Sequence, residues 1–348
     1  MKKLLVALII IMSTLAVLAW TGAWLSTPST GGTTPFVVAQ GEGADAIVTR
    51  LKAQGVVRSG LLFKLALARS GLATKLQPGT YDFSGAGDFA EIIRRLASGG
   101  VPANEFVLLV KEGWNLSDIR AALAAAGYAG ADKLFTVTGL PATDHRTLSA
   151  SSAPKPADFS ADFPFLKDKP PYVSLEGFLF PDTYRLFRDA TPEQVVRTLL
   201  SNFDRKLTPD LRQRISDREK SVFEAITLAS IIEREVKGDG DRRKVADIFW
   251  RRLQAGMPLQ ADSTVNYATG KSLPSVSLQD TEDVSLYNTY KYPGLPLGPI
   301  SNPGLSSIEA AVSPEPNDAW YFLTDKDGTV HYAKTLDEHN RNKAKYLK

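Results

Sequence analysis

Apolar and polar positions divide this chain into one long apolar run, followed by short strands and amphipathic helices. The run, residues 4–25, is uncharged and follows Lys2 and Lys3. At about 1.5 Å per residue it is long enough to span a hydrocarbon core of roughly 30 Å. Lysines ahead of it place the N-terminus in the cytoplasm and send the rest across. A cleaved signal peptide is the alternative, with Val17-Leu18-Ala19 as its cleavage site. Signal-peptide apolar regions are shorter, about 7–15 residues. Either way the bulk of the chain is exported, and the Ser/Thr/Gly/Pro-rich residues 26–35 are expected to act as a linker.

The pattern then predicts a small α+β unit over residues 36–100. Phe36-Val37-Val38 reads as a strand, and Gly43-Ala44 opens a helix whose apolar positions are Ile47, Val48 and Leu51. A second helix is expected over 61–68, a strand after the turn Pro78-Gly79-Thr80-Tyr81, and a third helix over 90–96, closed by Gly99-Gly100. Residues 101–348 read as a larger mixed α/β domain, making the fold class α+β. It begins with an apolar strand over 105–110 and a helix near Ser117. A Ser/Ala/Pro/Asp-rich loop over 143–171 follows, then helices over 192–202, 209–214, 221–236 and 242–255. After Gly256, strand and loop are expected, including the Gly/Pro-rich stretch 292–303. A hairpin around Asp325-Lys326-Asp327-Gly328 leads to a terminal basic helix.

Composition removes several chemistries. There is no cysteine, so disulfides, thiolate metal sites and a cysteine nucleophile are excluded. The three histidines, His145, His331 and His339, are far apart in sequence, and neither a metal nor another cofactor is expected. A net charge of +3 from 41 basic and 38 acidic residues is too balanced to indicate nucleic-acid binding. At 43% apolar composition the exported part can hold itself together by burial.

Three constellations carry candidate chemistry. Ser221-Val-Phe-Glu224 has the form of a capping box, and the helix it opens is apolar nearly all round, as suits a buried helix. Glu233 and Glu235 stand at its far end, about 200° apart around the axis, so they cannot form one dyad. Glu235 follows Ile231 and Leu228, and a carboxyl beside aliphatic side chains stays protonated to higher pH. The alternative is that both glutamates pair with Arg234, Arg242 or Arg243. Next, Gln260, Asp262, Ser263, Thr264 and Tyr267 group polar side chains suited to sugar hydroxyls, or else form a capped turn. Last, Tyr287-Asn-Thr-Tyr290 precedes the restricted loop Gly294-Leu-Pro-Leu-Gly-Pro-Ile300, which would line a groove or serve structure alone. Nucleotide P-loop, zinc-protease and serine-hydrolase motifs are missing.

In this order the chain resembles the YceG-like family of endolytic murein transglycosylases. The resemblance rests on Pro78-Gly-Thr-Tyr81, Glu112-Gly113, Glu176-Gly-Phe-Leu-Phe-Pro-Asp-Thr-Tyr184 and Leu228-Ala-Ser-Ile-Ile-Glu-Arg-Glu235. It continues through Leu259-Gln-Ala-Asp-Ser-Thr-Val265, Tyr287-Asn-Thr-Tyr290, Gly294-Leu-Pro-Leu-Gly-Pro-Ile300 and Glu338-His-Asn340. It implies an N-terminal transmembrane helix, a small LysM-like subdomain over 36–100 and a YceG-like catalytic domain. Ser263 stands where proline is common in the family, and an insert around residues 149–156 has no assigned role.

The resemblance makes Glu235 the catalytic acid and base for cleaving the β-1,4 bond between N-acetylmuramic acid and N-acetylglucosamine. The expected product is a 1,6-anhydro end. Gln260, Asp262, Ser263, Thr264, Tyr287 and Asn288 are the expected substrate-positioning residues. Peptidoglycan strands are the implied partner, with penicillin-binding synthases as protein partners. The implied location is the bacterial inner membrane, with the catalytic domain in the periplasm or outside the membrane. A hydrolytic muramidase would instead need a second carboxylate roughly 5–9.5 Å from Glu235, with Asp262 or Glu176 as candidates. A non-catalytic peptidoglycan-binding scaffold would need neither.

Overall fold

The computed structural model describes residues 36–347 except 84, 85, 87, 100–103, 148–153, 272 and 274. The expected membrane segment, the linker and most of the insert around 149–156 lie outside the described residues. Among the described residues, no helix is long and apolar enough to cross a membrane. The chain divides into two compact units at Phe106 and Val107.

In the first unit, strand β1 (Phe36–Val38) pairs antiparallel with β2 (Gly79–Tyr81), Phe36 opposite Tyr81. Helices α1 (Ala44–Ala53), α2 (Gly60–Ser70) and α3 (Phe89–Ser98) supply the rest. Ser59 and Asp88 cap α2 and α3 by accepting backbone N–H bonds from Leu62 and Glu91. One core joins the sheet to all three helices through Phe36, Ile47, Leu51, Phe63, Ile92 and Leu96, all fully buried.

The second unit pairs β3 (Glu105–Leu109) with β4 (Thr183–Phe187). Between them lie α4 (Leu116–Ala125) and the short α5 (Leu134–Thr138). After β4 come α6 (Pro192–Lys206), α7 (Pro209–Asp217), α8 (Val222–Glu235) and α9 (Asp239–Gln254). Helices α10 (Asp262–Thr269) and α11 (Leu305–Val312) follow. Strands β5 (Tyr321–Thr324) and β6 (Val330–Ala333) then form the hairpin, and α12 (Leu336–Tyr346) ends the fold.

Helix α8 is the axis of this unit. Ser221 and Glu224 close the capping box, and every residue from Ala225 to Ile232 is buried. It packs against α7, α9, α10 and α11. The structure corrects one expectation here: Asp262–Thr269 is a helix, and the first strand after Gly256 is β5.

Candidate active site

The site grows from the end of α8. Glu235 is the helix's last residue, and Val236 already has extended backbone angles. Its carbonyl accepts a bond from the Thr324 hydroxyl of β5 at 3.2 Å. A carboxyl at this end faces the negative pole of the helix, which disfavours its charged form. Burial raises the Glu235 pKa further, the neighbouring charge of Asp262 adds to the rise, and hydrogen bonds from Ser263 oppose it.

The first turn of α10 faces this carboxyl. The Ser263 hydroxyl donates to Glu235 Oε1 at 2.6 Å, and its backbone N–H approaches the same oxygen at 3.4 Å. Among the described residues, none donates a hydrogen bond to Oε2. Asp262 starts the helix, its Oδ1 accepting from the Tyr290 hydroxyl at 2.6 Å and its Oδ2 from the Val276 N–H at 3.3 Å. Arg252 lies behind Tyr290, buried and donating to the carbonyls of Trp320 and Leu259 at 2.8 Å.

Gln260 leads into α10 with φ at +53°, a left-handed backbone that is uncommon outside glycine. Its side chain is exposed beside the helix start. The 287–290 segment clasps this region from below. Thr289 accepts from the Gln260 N–H through its carbonyl at 3.1 Å and from the Ala261 N–H through its hydroxyl at 3.1 Å. The Thr264 and Thr289 hydroxyls meet at 2.9 Å.

This arrangement separates the expected positioning residues. Gln260, Asp262 and Ser263 reach the surface around Glu235. Thr264 and Asn288 are fully buried, and Tyr287 is 1% exposed. The Asn288 amide is spent on the carbonyls of Thr281 and Asp283 and on the Tyr290 N–H. Tyr287 packs edge-on against Tyr267 at 5.1 Å. The expectation that these three touch substrate is therefore revised: they support the site from beneath. Tyr290, which the motif does not single out, is its member that reaches the site, through Asp262. Its one sequence signal is the polar tip of a tyrosine, which needs a partner once half-buried.

The other carboxylates have separate tasks. Glu233 pairs with Arg242 at 3.3 Å and accepts the Gly304 N–H at the start of α11 at 3.0 Å. The structural ion pair weighed for both glutamates thus holds for Glu233, while Glu235 bonds Ser263. Glu176 is fully buried, accepting from the Leu116 N–H and the Tyr267 hydroxyl, each at 3.0 Å, and from the Asn302 amide at 3.1 Å. Burial outweighs the bonds from Leu116 and Tyr267 and pushes its pKa up to about 8. Among the described residues, no group of His, Asp and Glu is arranged to hold a metal ion.

Comparison with known proteins places the chain in a family. The model of the YceG-like family matches residues 36–345. The chain belongs to the YceG-like family. It is 35% identical over 312 residues to a protein of Bacillus subtilis (strain 168) named endolytic murein transglycosylase, covering 89% of this chain and 84% of that one. A protein of the same name from Streptococcus pneumoniae serotype 2 (strain D39 / NCTC 7466) is 29% identical over 320 residues, 89% of this chain and 58% of the relative. The crystal structure of a YceG-like protein from Listeria monocytogenes superposes with a TM-score of 0.59 at 32% identity, covering 88% of this chain and 98% of that one. Within the matched region, Glu235 closes the segment Ser230-Ile-Ile-Glu-Arg-Glu235 on α8, and Asp262-Ser-Thr264 opens α10 opposite it.

Proposed function

We propose that this protein is an endolytic transglycosylase of peptidoglycan in which Glu235 is the single acid and base. The observation that carries the reading is the state of its carboxyl. It has a raised pKa, one oxygen fastened by Ser263, and the other left without a protein donor. A protonated Glu235 gives its proton to the oxygen linking N-acetylmuramic acid to N-acetylglucosamine as the C1–O bond breaks. The resulting carboxylate takes the proton of the muramic C6 hydroxyl while that oxygen bonds to C1. The 1,6-anhydro ring closes, Glu235 is protonated again, and no water is consumed.

Because the substrate supplies the nucleophile, one carboxyl suffices. Hydrolytic glycosidases instead set a carboxylate pair across the bond. Both rivals for a second carboxylate are committed elsewhere: Glu176 is sealed in the interior, and both oxygens of Asp262 accept protein hydrogen bonds. Gln260, exposed on its left-handed backbone just before α10, is the candidate for a sugar contact. The apolar run at residues 4–25 would hold the enzyme to the inner membrane from its outer face. The first unit would serve as a LysM-like glycan-binding module, and penicillin-binding synthases are the partners that family membership suggests.

The test compares the full chain with its Glu235→Gln variant on purified peptidoglycan, with products separated and weighed. Anhydro-muramic ends formed by the wild type and reduced at least about 10³-fold in the variant are expected. Reducing ends, heavier by one water, would make the enzyme a hydrolase. Cleavage undiminished in the variant would move the catalytic role away from Glu235.

A further inference from the structure

We propose that Ser263 is a positioning residue that fixes Oε1 of Glu235, so that Oε2 alone exchanges the proton with substrate. The inference rests on the assignment of Glu235 as acid and base. It follows from where α10 begins. Ser263 is the second residue of that helix, and its hydroxyl and N–H both converge on Oε1, at 2.6 and 3.4 Å. First-turn N–H groups have no partner within their own helix, so the backbone here has a donor to spare.

Helix α10 cannot readily turn away from this contact. Thr264 is tied to Ala261 and Thr289, Asp262 to Tyr290 and Val276, and Tyr267 to Glu176 and the Ala142 N–H. The serine is therefore held more firmly than a surface side chain, and it holds the carboxyl in turn. An unrestrained carboxyl rotates about its last bond and presents either oxygen in several directions. A misplaced proton donor loses rate steeply with small displacements. The bond also strengthens as Glu235 gives up its proton and negative charge gathers on the carboxyl. Ser263 thus assists the acid step and keeps the same oxygen occupied when Glu235 returns as base.

The titratable groups facing Glu235 are Asp262 on α10, Arg234 on its own helix, and Tyr290 from the clasping segment, a neutral phenol. Asp262 opposes ionisation, while Arg234 and Ser263 favour it. Removing the hydroxyl leaves Asp262 less opposed, so the carboxyl must hold its proton to higher pH.

The experiment measures rates of anhydro-end formation against pH for the full-length wild type and for Ser263→Ala, Ser263→Thr and Glu235→Gln. Thermal melting checks that each variant is folded. Ser263→Ala is expected to lower kcat about tenfold with KM within about twofold, and to move the alkaline limb to higher pH. Ser263→Thr keeps the hydroxyl and is expected to restore most of the rate and the wild-type limb. A Ser263→Ala variant with unchanged kcat and limb, beside an inactive Glu235→Gln, would overturn the role of Ser263 and leave Glu235 in place. Equal losses in Ala and Thr with an unmoved limb would also overturn it, making Ser263 merely a packing residue. Full activity in Glu235→Gln would remove the assignment on which the proposal rests.

Discussion

Glu233 and Glu235 show how a two-residue step along one helix, about 200° around its axis, decides the fate of one side-chain type. They are two residues apart on α8 and point to different neighbours. Glu233 has a side chain 7% exposed, with Arg242 at 3.3 Å and the Gly304 N–H at 3.0 Å. Removing Glu233 takes one of two carboxylate partners from Arg242, which keeps Asp239 at 3.0 Å, and leaves the Gly304 N–H without its acceptor, at a cost of about 1–3 kcal/mol. Glu233→Ala is therefore expected to lower unfolding free energy by about that amount, as urea titration would measure. Its remaining folded fraction should retain a pH profile like the wild type. Glu235→Gln should do the reverse, removing activity with little change in the urea midpoint. Loss of catalysis with unchanged stability in Glu233→Ala would contradict this division of labour.

Elements differ in how plainly the sequence announced them. Helix α8 was legible because its information is local: Ser221 and Glu224 cap its start, and apolar residues surround its axis. Helix α10 was not, since Asp262, Ser263, Thr264, Val265 and Asn266 are weak helix formers and Ala261 gives no side-chain cap. What stabilises α10 comes from distant residues, namely Thr289, Tyr290 and Glu176. Asn288 is held inside by a local network instead, its amide donating to the carbonyls of Thr281 and Asp283 and accepting from the Tyr290 N–H. Tyr267 is the clearest test of the anchoring of α10, because its hydroxyl joins α10 to Glu176 and to the Ala142 N–H. Tyr267→Phe keeps the ring against Tyr287, leaves the Ala142 N–H without its acceptor and takes one of the three donors described for Glu176. We expect a loss of about 1–3 kcal/mol in stability, measured by urea unfolding. A fall in kcat should accompany it, because the helix that carries Ser263 is loosened.

Across the second unit, Glu176 ties together parts of the chain that are far apart in sequence. It accepts bonds from the first turn of α4, from α10 and from Asn302 just before α11. Its motif was legible as a compact acidic and aromatic segment, but its burial was not, because the three donors come from 60, 91 and 126 positions away. Burial raises its pKa from an ordinary 4.5 to about 8, so the folded protein holds a proton that the unfolded chain has released across that interval. Where the native state binds more protons, stability falls as pH rises. The contribution is therefore complete below about pH 4.5, declines between there and about pH 8, and is lost above. Glu235 shifts in the same direction, so the wild-type slope contains both groups. The difference between wild type and Glu176→Gln isolates one of them. Urea unfolding measured from pH 5 to pH 9 should show the wild type losing more stability than the variant across this range. A variant whose pH dependence matches the wild type would mean that Glu176 is ionised in the folded protein, its charge held by Leu116, Tyr267 and Asn302 despite its burial.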